Sequence, residues 1–157
     1  MQCSAIQNNL SGSFEFVFFD APFERDAGPG VLPFFAEFGP YRTWFSRDAN
    51  GAERLDGREA GNGKLESEGG IERVVRMMKE RREGGEWVAC MGFSQGTRIV
   101  GGLLLEQQRL REAGLPGLGN GTINFRFGVL CMGSGAPMVV DFSSCESWLV
   151  TSPRRVG

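Results

Sequence analysis

Apolar residues fall along this chain in short, differently spaced blocks. Phe14-Glu15-Phe16-Val17-Phe18-Phe19 is aromatic and β-branched and runs into Asp20-Ala21-Pro22, which predicts a strand over 14–19. Ile71, Val74, Val75 and Met78 stand at i, i+3, i+4 and i+7, the spacing of one helix face. Charged residues from Lys79 to Glu83 carry that helix, as a solvated surface, to a stop at Gly84-Gly85. Trp87-Val88-Ala89-Cys90-Met91 is a brief apolar run of the kind a buried parallel strand needs. Ile99, Val100, Leu103, Leu104 and Leu110 return to helical spacing, with Gly114 as the stop. Asn124 to Met132 predicts another strand, ending in Gly133-Ser134-Gly135. Strands alternating with helices imply βαβ units, hence an α/β fold with a mostly parallel sheet.

Between the first strand and the first periodic helix lies a Gly/Pro-rich connection, Phe23 to Gly70. Its first half holds Phe34, Phe35, Phe38, Tyr41, Trp44 and Phe45, too many aromatic rings for a free linker. That half is expected to fold over the top of the sheet. The second half, Ser46 to Gly70, is polar and is expected to be loosely held.

Gly92-Phe93-Ser94-Gln95-Gly96 sits between the apolar run and the helix that follows. G-x-S-x-G in that context is a nucleophile elbow, a sharp strand-to-helix turn that lifts the serine above the sheet. With 24 glycines and 11 serines in 157 residues, roughly a quarter of a match arises by chance, so the strand and helix around the motif carry the reading. Both glycines are expected to be required because a Cβ at either would clash. Ser94 is expected in strained backbone space, with the Gln95 backbone N–H as an oxyanion donor.

The chain contains no histidine, the one side chain whose unperturbed titration suits a serine nucleophile's base. It therefore carries a nucleophile's position without the usual base. A zinc site is not expected: Cys3, Cys90, Cys131 and Cys145 have no C-x-x-C spacing and read as apolar filler in a reducing compartment. No phosphate-cradling or dinucleotide motif is complete, so no cofactor is expected. A formal net charge of −2 gives no basic footprint for nucleic acid. No apolar run reaches membrane-spanning length, and Met1 to Leu10 lacks the build of a signal peptide, so a cytoplasmic protein without a membrane partner is expected.

Laid out in this order, Phe14 through Phe23, Gly39-Pro40-Tyr41 with Trp44, Gly92-Phe93-Ser94-Gln95-Gly96 and the strand into Gly133-Ser134-Gly135 resemble the FSH-type serine hydrolases, small α/β-hydrolases prominent in fungi. The resemblance covers roughly Met1 to Ser143. It implies an incomplete α/β-hydrolase fold, three-layer α/β/α, with an FSH-like domain over 1–145 and a divergent tail over 146–157. It also implies an esterase or thioesterase on acyl esters or thioesters, including carrier-protein-bound chains of secondary metabolism. Ser94 becomes the nucleophile and the Gln95 N–H half of an oxyanion hole; Tyr41 and Trp44 become candidate walls of the acyl pocket, with core packing an equal alternative. The family opens with a strand ending in a His-Gly-type turn, placed between the equivalents of Phe14–Phe19 and Trp87–Met91, and closes with a triad Asp and His. Here Met1-Gln2-Cys3 resembles the middle of the next helix, and Asp141, the sole Asp after Ser94, comes too early to match. The resemblance therefore also leaves open a non-catalytic remnant that binds an acyl ligand or a partner.

Overall fold

A computed structural model of the chain describes residues 4–28, 30–58, 60–61, 64–65, 68–81 and 84–140. The centre of the fold is one βαβ unit. Strand β5 (Ala89–Phe93) pairs in parallel with β6 (Phe127–Cys131), in a register running from Ala89↔Phe127 to Phe93↔Cys131. Helix α3 (Gly96–Glu112) joins them and lies on one face of the pair. Gly128 permits that packing: a Cβ there would stand 2.6 Å from the Leu104 side chain and 3.1 Å from that of Val100. The α3 stop falls where the glycine predicts it, with Gly114 at φ +64°.

Helix α2 (Gly70–Glu80) buries Ile71, Val74 and Met78, the periodic face, against α3's Ile99 and Leu103. Leu118, Ile123, Phe125, Met138 and Phe45 complete this core. Each such side chain, once buried, contributes about 1.5–3 kcal/mol. Buried Gln107 of α3 serves the backbone here. Its amide nitrogen donates to the Phe125 carbonyl (3.0 Å) and its oxygen accepts the Phe125 N–H (2.7 Å), which fixes the approach to β6.

The α/β class stands, and several elements differ from expectation in informative ways. Phe14–Phe19 is not a strand: the segment joins no ladder, and Phe14 and Phe18 are exposed. A strand is half of a pairing, and among the described residues this run has no partner. It is held by side chains instead, through the Phe19 ring 5.9 Å from that of Trp87 and an Arg81 guanidinium donating to the Phe18 carbonyl (3.0 Å). The elbow strand starts two residues late and runs through Phe93, because Val88 is spent on a single bond from the Arg126 N–H. Likewise β6 occupies only the centre of Asn124–Met132.

The connection contains an antiparallel hairpin of β1 (Phe23–Arg25) and β2 (Tyr41–Thr43), with a 3₁₀ turn at Ala36–Phe38. Its aromatic half is not a packed lid. Phe34 is 83 % exposed, and Phe35 and Phe38 are exposed too; Phe45 is buried in the core, and Trp44 packs partly against it. The half expected to be loose is pinned over 46–58. Asp48 accepts the N–H groups of Asn50 and Ala52, and buried Asp56 is paired with Arg54 at 2.6 Å. Two short strands, β3 (Ala60–Gly61) and β4 (Lys64–Leu65), pair next, and α1 (Ser4–Leu10) begins the described chain without burying a residue. Asp141, Cys3, Cys145 and the boundary at 145/146 lie outside the described residues.

Candidate active site

The turn between β5 and α3 has the geometry of a nucleophile elbow. Ser94 is at φ 49°, left-handed space that costs a residue with a Cβ about 1–2 kcal/mol. Its backbone is clamped on both sides. The Ser94 N–H donates to the Cys131 carbonyl (2.9 Å), extending the parallel ladder one residue past β5. The Ser94 carbonyl accepts the Thr97 N–H (3.1 Å) and the Thr97 hydroxyl (2.6 Å), starting α3. The side chain stands exposed at the C-terminal end of β5, and its hydroxyl has no partner among the described residues.

Gly92 makes the turn possible: a Cβ there would run into the Gly96 carbonyl and the Thr97 nitrogen. At Gly96 the expectation of a clash fails, since a Cβ would meet nothing within 4 Å. The turn closes on Gly92, and Gly96 already points outward as the first residue of α3.

The Gln95 backbone N–H finds no acceptor among the described residues, as an oxyanion donor requires. It lies at the N-terminus of a 17-residue helix, where the helix dipole favours negative charge. The cation in the first turn of α3 is committed elsewhere. Arg98 donates to the Glu53 carboxylate and to the Ala136 carbonyl, both at 2.7 Å, and lies 3.8 Å from the centroid of the Phe45 ring. Among the described residues no acid or base side chain bonds to Ser94. Among the described residues no group of three His, Cys, Asp or Glu side chains is placed to hold a metal, and no helix is long and apolar enough to cross a membrane.

The aromatic candidates divide. Trp44 is half-buried, follows β2 directly and is bound to the elbow: its backbone N–H donates to the Gln95 side-chain oxygen (2.9 Å). The residue is partly buried against the core. Tyr41 lies three residues earlier and spends its hydroxyl on the Phe35 carbonyl of its own loop (2.6 Å). Two participants escaped sequence reading. Thr43 touches the Gln95 amide across 52 positions, a contact without local signal. Met132, at φ 57° and 82 % exposed, forms with Thr97, Arg98, Leu130 and Pro137 an open cleft of about 480 Å³ past the end of β6.

Known proteins resemble the chain along nearly its whole length. A family model described as serine hydrolase (FSH1) matches residues 1–145. The probable esterase afoC of Emericella nidulans is 34 % identical over 91 % of this chain and 53 % of its own length. The probable esterase TOX9 of Cochliobolus heterostrophus is 38 % identical over 69 % of this chain and 38 % of its own. The esterase FUS5 of Gibberella fujikuroi is 34 % identical over 90 % and 52 % respectively. No solved structure matches. The chain thus spans about half the length of the curated relatives it matches.

Proposed function

The chain belongs to the serine hydrolase (FSH1) family, and from that premise we propose that Ser94 is the nucleophile of an acyl-ester or thioester hydrolase. The observation that carries this is the elbow itself: a strained serine whose exposed hydroxyl, and the neighbouring N–H at a helix N-terminus, have no partner among the described residues. In this reading the Ser94 Oγ attacks the acyl carbon while a base removes its proton. The tetrahedral oxyanion forms against the Gln95 N–H. The C–O or C–S bond then breaks, and the alcohol or thiol leaves with a proton. Water attacks the acyl-serine, the acid departs, and Ser94 regains its proton. Trp44, and less directly Tyr41, line the acyl chain. An acyl group held on a carrier protein, in fungal secondary metabolism, fits an exposed serine on an open surface.

The sequence contains no histidine, so in this reading the base is either another side chain of these residues or a group they do not include. The same absence favours a second reading, a non-catalytic module that binds an acyl ligand through the same surface.

Added imidazole separates the two. Hydrolysis of p-nitrophenyl acetate is measured for the chain and for Ser94→Ala, and the difference is followed as imidazole is titrated in. Without imidazole the difference is expected to lie about 10³-fold or more below a triad-equipped enzyme. It should rise with imidazole. No Ser94-dependent rate at any imidazole concentration favours the binding module. Fast turnover without imidazole means that the chain contains its own base.

A further inference from the structure

We propose that the Gln95 side chain is a positioning residue that clasps the aromatic hairpin to the nucleophile turn, so that one amide sets where the Trp44 indole stands relative to Ser94. The clasp uses both ends of the amide. The oxygen accepts the Trp44 backbone N–H at 2.9 Å, and the nitrogen donates to the Thr43 hydroxyl at 2.9 Å. Thr43 is buried, and its oxygen also accepts the Phe45 N–H at 3.3 Å. Phe45 is anchored in turn under Arg98, one helical turn beyond Gln95. Three consecutive residues at and just after the end of β2, 43 to 45, are therefore registered against two residues on one side of the α3 start, 95 and 98.

Nothing else among the described residues takes the Trp44 N–H, and a half-buried amide without an acceptor is costly. Gln95 is also the residue whose N–H the proposed function assigns to the oxyanion, and it follows directly on the left-handed Ser94. The clasp therefore joins the aromatic segment to the residue next to the nucleophile. Chemically the site asks for a long side chain with an acceptor at its tip. Glutamate keeps the acceptor, and the Thr43 hydroxyl can rotate to donate to it. Methionine has the length and neither function.

This inference rests on the reading in which Trp44 borders the acyl site, and the experiment tests the two separately. The full chain is labelled with 5-fluorotryptophan, and the ¹⁹F resonance of Trp44 is assigned with Trp44→Phe. In Gln95→Met the Trp44 resonance should shift and broaden while that of Trp87, which packs against Phe19 before β5, stays in place. Gln95→Glu should restore the Trp44 signal. Thr43→Val removes half of the clasp from the other side and should move the same resonance, which keeps the test intact if Gln95→Met folds badly. Decanoate, titrated as the acyl probe, should perturb Trp44 in the unsubstituted chain and bind on the order of tenfold more weakly in Gln95→Met, as expected for one lost hydrogen-bond clasp. The proposal is overturned if Gln95→Met leaves the Trp44 resonance unmoved, or if Trp44 and Trp87 move together. A Trp44 resonance that answers to Gln95→Met and ignores decanoate retains the clasp and removes Trp44 from the acyl site.

Discussion

Phe14–Phe19 and Ala89–Phe93 are both short apolar runs, and the first is the more hydrophobic, yet only the second is a strand. The second has β6 at hydrogen-bonding distance and α3 on its face; the first has neither among the described residues. The same contrast divides the aromatic rings. Phe34 is exposed in its loop, whereas Phe45, eleven residues on, is 2 % exposed beneath Arg98. Apolar composition supplies a driving force for burial, but a ladder and a covering face decide which segments realise it.

The largest expected effect comes from deleting one ring on each side of this divide. Phe45→Ala should cost about 3–5 kcal/mol in urea unfolding, whereas Phe34→Ala should stay within about 0.5 kcal/mol. Equal costs would mean that the exposed loop ring has a burial partner, and the contrast would be lost. Next is the turn. Gly92→Ala forces a methyl group into the Gly96 carbonyl and should destabilise by about 1–3 kcal/mol. Gly96→Ala, with open space around it, should fall within about 0.5 kcal/mol. The same urea series reads both.

A finer probe is the Cys90 thiol on β5. Burial pushes its pKa up from 9.0 to about 11. It should resist iodoacetamide at pH 8 and react only as the pH nears 11. The sign follows from which state holds the proton. Between pH 9 and about 11 the unfolded chain releases this proton and the folded one keeps it. The contribution to stability is thus complete below pH 9 and falls as pH rises through that window. Rapid alkylation at pH 8 would show that β5 opens readily despite its ladder and helix cover.

The smallest effect belongs to the surface. The hydrogen bond from Arg76 holds the Glu68 carboxyl below its ordinary value, with the Arg76 nitrogen 2.8 Å from the carboxylate. That contribution is present above about pH 4.5 and is lost as pH falls through the lowered folded value. Glu68→Gln should cost less than about 1 kcal/mol at pH 7, read from the urea midpoint. A larger loss would mark the entry to α2 as part of the ordered core and not its rim.

The sequence by itself determined the elbow, both long helices, the Gly114 stop of the second, and the α/β class. These are local facts. A helix face repeats within eleven residues, and G-x-S-x-G between an apolar run and a helical period leaves few alternatives for the chain. The serine-hydrolase family was legible for the same reason. Only the tertiary structure decided which apolar runs became strands, that Gly92 and not Gly96 closes the turn, and that Asp48 and Asp56 pin a polar stretch that reads as loose. It also decided that the Gln95 side chain bonds Thr43 and the Trp44 backbone. Gln95 and Thr43 stand 52 positions apart, and no periodicity or propensity connects them. Pairing and side-chain clasps are bought with chain entropy across long loops, so they depend on where the rest of the molecule places the partner.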